Sequence, residues 1–143
     1  MVQKYLSKIS GPLLDRIDLH VEVTPVNFTS LASSDDAEKS DIIRNRVIKA
    51  REIQDKRFAD KPELHYNAQM SPKMVRKVCH INPDGIMLLK TAMERLGLSA
   101  RAYDRILKVA RTIADLAGSE NVELEHLAES INYRSLDRDG WAG

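Results

Sequence analysis

The sequence predicts a mainly α protein: a small helical bundle preceded by a single strand that has no partner in view. Three observations lead there. The core must rest on Leu, Ile, Val, Ala and Met, because 143 residues that are 43% hydrophobic contain only two Phe, one Trp and four Tyr, a balance common in helical domains. From residue 35 onward apolar residues recur at helical spacings, punctuated by cap residues and prolines. Only "RIDLHVEV", residues 16–23, alternates with a period of two.

Taken in order, that first element sets Ile17, Leu19, Val21 and Val23 against Asp18, His20 and Glu22, and Pro25 ends it. A strand needs a neighbour for its backbone donors and acceptors. None is visible, and "MVQKYLSKISG" opens without a cap or turn signal, so the chain reads as cut from a longer one. Leu19 and Val21 are expected to be disordered or to pair abnormally. Residues 24–34, rich in Thr, Ser, Pro, Asn and Ala, read as a linker.

Helices follow. Ser34, Asp35 and Asp36 are N-cap candidates, with Glu38 three residues after Asp35 as in a capping box. Ile43, Val47 and Ala50 then mark an apolar face running to about Phe58, opposite Arg44, Lys49, Arg51 and Lys56. "DKPELHYNAQM" is a loop. Ser71-Pro72 and Asn82-Pro83 each pair a cap with proline at the first helical position, so two helices begin there, and Gly97 closes the second. Ser99 caps "ARAYDRILKVARTIADLA", which ends at Gly118 and carries Ala102, Ile106, Val109, Ile113 and Leu116 as its apolar stripe. A last helix lies in "VELEHLAESINYR". Five helices without an internal repeat make a bundle.

Charge and cysteine usage limit the classes. A formal net charge of +1 argues neither for nor against a polyanion. The single cysteine, Cys79, forms no internal disulfide and reads as a small core residue. No run approaches the ~18 apolar residues of a membrane span and no signal peptide is read at the start, so the expectation is a cytoplasmic protein with no leader and no membrane partner. His20, His65, His80 and His126 lack metal-ligand spacing with one another or with Cys79, and no metal site is expected. Trp141, beside two glycines, reads as a loose tail or a packing residue of a larger protein.

Arg101, Arg105 and Lys108 form one stripe on the fourth helix, approximately continued by Arg111. As a solvated face, it would be laced by Asp104 with Lys108 and Arg111 with Asp115. Arg101 differs. It sits in the first helical turn, where the macrodipole disfavours a cation unless an anion is near.

"YLSKISGPLLDRIDLHVEV", "LGLSARAYDRILKVARTIADLAGS" and "INYRSLDR" together resemble the C-terminal part of the Mg chelatase-like competence family, the ComM/YifB-type AAA+ ATPases, from about Tyr5 to Arg138. The resemblance implies a parent with a Lon-like N-terminal domain, an AAA+ core and a helical lid. It implies residues 1–23 as the end of the core, 24–34 as linker, 35–138 as the lid and 139–143 as a tail.

By the same resemblance "GPLLDRIDL" presents Arg16 as an arginine finger to the ATP of a neighbouring subunit. Its guanidinium would fork onto two oxygens as the γ-phosphoryl leaves. Adjacency suggests that Asp15 and Asp18 hold it when no phosphate is present. Arg101 in "LSAR" resembles the sensor 2 arginine, which reports the γ-phosphate to the lid. Arg105 and Lys108 match no such position and are left as surface residues or DNA contacts.

The chain contains no GxxxxGK[ST] loop and no acidic strand end of the Walker B kind. Alone it should not hydrolyse ATP, should bind nucleotide weakly and should be a monomer. In the intact parent the resemblance implies ATP and Mg²⁺, a homo-oligomeric ring, and DNA remodelling of the branch-migration or competence type. A stand-alone helical DNA- or protein-binding module without nucleotide is the alternative. Magnesium chelatase activity does not follow from a shared fold.

Overall fold

The computed structural model describes residues 37–134 and, in the leading segment, residues 13, 16–21, 23 and 25. Among residues 37–134 five α-helices follow one another: α1 (Ser40–Arg57), α2 (Pro72–Val78), α3 (Pro83–Leu96), α4 (Ala100–Leu116) and α5 (Leu124–Asn132), with a 3-10 turn, Asn67–Gln69, between α1 and α2. The bundle expected from the helical spacings is present.

Three helices start where the cap residues put them. Ser71 Oγ accepts from Met74 N at 3.4 Å, Asn82 Oδ1 from Gly85 N at 2.8 Å, and Ser99 Oγ from Ala102 N at 3.2 Å. Each bond satisfies a donor that a helix start would leave open. Gly97 closes α3 at φ +60°, a left-handed conformation that glycine adopts without a Cβ penalty.

α1 departs from expectation at its start. It begins at Ser40, with Lys39 in the cap position and no side-chain cap bond. Ser34, Asp35 and Asp36 lie outside the described residues. Glu38, expected in a capping box, instead accepts from both terminal nitrogens of Arg46, at 2.9 and 3.2 Å. Ile43 and Val47 are exposed while Ala50, Gln54 and Phe58 are buried. The apolar face therefore reaches the core only through the C-terminal half of the helix.

The strand expected at residues 16–23 is absent among the described residues. Ile17, Leu19, Val21 and Val23 are exposed, and His20, from the polar side of the alternation, is the buried residue. The described residues of the segment bond instead to the end of α5: His20 N donates to Tyr133 O at 2.7 Å, and the Arg134 guanidinium donates to the Ile17 carbonyl.

α4 is the hub, packing against α1, the 3-10 turn, α2 and α5, while α3 packs on α5. The core joins Phe58, Met70, Val75, Cys79, Leu89, Ile106, Leu107, Ala110, Val122 and Leu127. Each fully buried Leu or Ile contributes about 1.5–3 kcal/mol. Burial pushes the Cys79 thiol up to about 11, so it packs as a small hydrophobe and is not a nucleophile.

The buried face of α4 is rotated from the expected stripe. Ala102 and Ile106 are buried as anticipated, but Leu107, Ala110 and Ala114 continue the core, whereas Val109 and Ile113 are half-buried and Leu116 exposed. Being flanked on several sides, the helix buries more than one stripe, and alanines provide the close approach.

Candidate functional site

The first two turns of α4 form one wall of a groove of 240 Å³ lined by Asp18, Ala68, Arg101, Asp104, Arg105 and Lys108. Its basic side is the stripe read from the sequence, since residues three and four apart share a helix face. Ser99 holds the helix start and so fixes the base of Arg101. Arg101 is exposed, and among the described residues no carboxylate forms an ion pair with it.

Arg105 is paired with the Asp18 carboxylate, across from the leading segment. Asp18 is therefore engaged with α4 instead of bracing Arg16; Asp15 lies outside the described residues. Lys108 donates to the Ala68 carbonyl at 2.9 Å, so the expected pair with Asp104 is replaced by a bond to the 3-10 turn. Burial holds the Lys108 ammonium below the usual lysine range, with Asp104 opposing and Arg105 reinforcing that shift.

The 3-10 turn is itself held by a buried polar cluster that the sequence did not reveal. Asp115 Oδ1 and Oδ2 accept from Arg57 at 2.5 and 2.7 Å, Oδ1 from Arg111 Nε at 3.1 Å, and Oδ2 from Asn67 Nδ2 at 2.8 Å. Asn67 Oδ1 accepts from Arg57 at 2.9 Å, its Nδ2 donates to Thr112 Oγ1 at 3.0 Å, and its backbone N donates to Gln54 Oε1 at 3.1 Å. Arg111 also donates to the Ser119 and Glu120 carbonyls, at 2.6 and 2.7 Å.

Arg111 and Asp115 thus form no solvated i,i+4 pair and Arg111 does not continue the basic stripe. Both are buried, and the satisfied donors and acceptors make that burial tolerable. The chain of contacts leads from Asp115 through Asn67 to Ala68 and then Lys108, which positions the far wall of the groove. The only local sign in the sequence was an Asn in "NAQM", too common a residue in loops to read.

Arg16 sits on an exposed turn, its N donating to Leu13 O at 3.0 Å. It does not line the Arg101 groove, so the two candidate site residues are not brought together in one chain. A second, apolar groove of 330 Å³ runs beside the first, lined by Leu19, Val109, Ile113, Leu116 and Tyr133 among others.

The guanidinium and ammonium donors of the basic groove suit phosphate oxygens, which accept charge-assisted bonds, and do not suit a metal cation. Among the described residues no group of three or more His, Cys, Asp and Glu could hold a metal ion. Within the same residues no helix is long and apolar enough to cross a membrane.

Comparison with known proteins agrees with the helical architecture. Residues 37–134 match the family model described as magnesium chelatase, subunit ChlI C-terminal, and residues 1–31 match the model for magnesium chelatase, subunit ChlI. Competence protein ComM of Haemophilus influenzae is 44% identical over 138 residues, 96% of this chain and 26% of that protein. YifB of Escherichia coli is 39% identical over 137 residues, 94% of the chain and 26% of that protein. The Mycobacterium tuberculosis protein Rv2897c is 35% identical over 133 residues, 92% of the chain and 26% of that protein. The chain spans about a quarter of the length of these curated relatives. With most of its length inside one family model and its relatives among ComM and YifB proteins, the chain belongs to the Mg chelatase-like family defined by the ChlI C-terminal domain.

Proposed function

We propose that this chain forms the lid and subunit-contact part of an AAA+ ATPase ring, in which ATP binding and hydrolysis drive DNA remodelling. Arg101 is its phosphate-facing sensor and Arg16 the arginine finger offered to the next subunit's nucleotide. The observation that carries this reading is the exposed Arg101 guanidinium, in the first turn of α4, at the end of a groove whose other two cations are already engaged. A first-turn cation is unfavourable alone and becomes favourable beside an anion.

Arg16 supports the reading from another direction. It is exposed, lies away from the Arg101 groove and rises from a segment tied to α5. That arrangement suits a residue acting on a site in a neighbouring copy. ATP, Mg²⁺ and the ring belong to the whole protein, and the DNA-remodelling half of the proposal comes with the family resemblance. The alternative, a stand-alone helical DNA- or protein-binding module without nucleotide, would draw on the same basic face, where Arg105 is paired with Asp18 and Lys108 bonds the Ala68 carbonyl.

The test is ATP turnover by the full-length protein carrying this sequence, with and without branched DNA. Arg16→Ala should lower turnover by about 10³-fold or more, the usual worth of such an arginine. Mixing it with a Walker-defective subunit that retains Arg16 should restore part of the activity, because the second subunit lends its arginine to the mutant's intact site. Arg101→Gln should lower turnover without such rescue if it acts within its own subunit. Unchanged turnover in both variants would remove the motor reading.

A further inference from the structure

Between Glu63 and Asp84 there is no Asp or Glu, the longest such interval in the 143 residues, and the same stretch holds His65, Lys73, Arg76, Lys77 and His80. We propose that the outer face of this stretch is a contact site for single-stranded nucleic acid, in which α2 offers cations to the phosphates and Tyr66 offers its ring to a base. Its basis is independent of the nucleotide reading of Arg16 and Arg101.

Three features support it. α2 turns Val75 into the core, with Met74 and Val78 packed against the same cluster, so Lys73, Arg76 and Lys77, three and four residues apart, share the exposed opposite face. Among the described residues no carboxylate forms an ion pair with any of them, unlike Arg46 and Lys90, which meet Glu38 and Glu94. Asp60 lies within electrostatic reach of Lys77 but is bonded to Lys61 at 3.1 Å. The last turn of α2 favours Arg76 and Lys77, whereas Lys73 sits in the first turn, where a cation is unfavourable until an anion is near.

The second feature is Tyr66, 43% exposed on the loop that leads into α2, with the Arg51 guanidinium over its ring at 3.9 Å. That contact backs the ring with a positive charge. The third is the rigidity of the loop. Gln69 Oε1 accepts from Tyr66 N at 3.1 Å and from His65 N at 2.7 Å, and the neighbouring Asn67 is bonded into the buried cluster around Asp115. An exposed aromatic on a fixed turn, followed directly by a cationic helix, suits a strand whose bases are unstacked and whose phosphates are charged. A duplex could use the cations but offers no free base to Tyr66, and an acidic peptide has none.

The test is binding of a fluorescein-labelled oligothymidylate to the 143-residue chain across a salt series, read by anisotropy. Replacing Lys73, Arg76 and Lys77 together by Gln should weaken binding about tenfold or more at low salt and flatten the salt dependence by a slope of about 2, the counterion release of three phosphate contacts on a single strand. Tyr66→Leu should weaken binding about fivefold or more, and Tyr66→Phe should bind as wild type. Neither change at Tyr66 should alter binding of a hairpin duplex with the same number of phosphates. The replaced side chains are exposed, and unchanged helical circular dichroism will show that the variants fold. A second readout needs no variant: on titration the wild-type amide NMR signals of residues 65–66 and 73–77 should move ahead of those of residues 101–108.

Equal affinity in the triple variant would overturn the site. So would a loss confined to Arg105→Gln with Lys108→Gln, which would move the contact to α4, or no binding by the wild type at low salt. A hairpin bound as tightly as the single strand, with Tyr66→Leu unaffected, would reject the single-stranded form. Polyglutamate bound as tightly at equal charge would replace nucleic acid by an acidic protein segment. None of these results bears on Arg16 or Arg101, which the subunit-mixing experiment judges.

Discussion

The Asp115 carboxylate is 1% exposed, and Arg57, Arg111 and Asn67 around it make that burial tolerable. Replacing it by Asn keeps the shape and removes the charge, leaving two guanidinium groups facing each other without a counter-ion. Breaking such a buried pair typically costs about 3–5 kcal/mol. Asp115→Asn should lose stability on that scale in urea unfolding, and a loss under 1 kcal/mol would mean that the neighbouring carbonyls already satisfy both arginines. None of this was visible in the residue pattern: Arg111 and Asp115 four apart have the same spacing whether the helix face meets water or another helix. Arg101 is the opposite case. Its oddity in the first turn could be read directly, because a macrodipole argument needs only the position of the helix start.

At the scale of elements, helix starts were legible and helix faces were less so. A cap bond joins residues three positions apart, so Ser71, Asn82 and Ser99 specify their helices without help from distant chain. Which side of α1 or α4 is buried depends on partners far away in sequence, and there the expected stripes of Ile43, Val47 and Leu116 proved to be exposed. The contact of α3 with α5 gives an element-level prediction. A Cβ added to Gly85 would stand 2.8 Å from Leu127 Cδ1 and 3.2 Å from Asn82 Oδ1. Leu127 is fully buried, so its side chain must repack within the core to admit the methyl group. Gly85→Ala should therefore destabilise by about 1–3 kcal/mol, although alanine is otherwise favoured over glycine in a helix by about 1 kcal/mol. Thermal unfolding checks the sign, and a stabilised variant would show that Leu127 changes rotamer at low cost.

For the whole molecule, the buried core cluster among the described residues lies between Phe58 and Leu127, with Ile131 packed against it, while the described part of the leading segment adds backbone bonds to α5 and a half-exposed ion pair. A chain trimmed to residues 37–134 should then keep its helical circular dichroism and a cooperative transition, with Tm lowered by no more than about 4–8 °C, the equivalent of about 1 kcal/mol. A trimmed chain that melts without cooperativity would make the leading segment part of the core. Features that rest on local chemistry are legible in the residues alone: a helical bundle, the starts of α2, α3 and α4, the close of α3 at Gly97, the cationic face of Arg101, Arg105 and Lys108, and the family resemblance. Features that rest on contacts between distant residues emerge from the packed fold: the burial of Asp115 and His20, the lack of a strand among the described residues of 16–23, and the seat of Asp18 on Arg105. Cap bonds and periodicity act over a single turn of chain, whereas burial and ion pairing depend on which surfaces meet once the helices have packed.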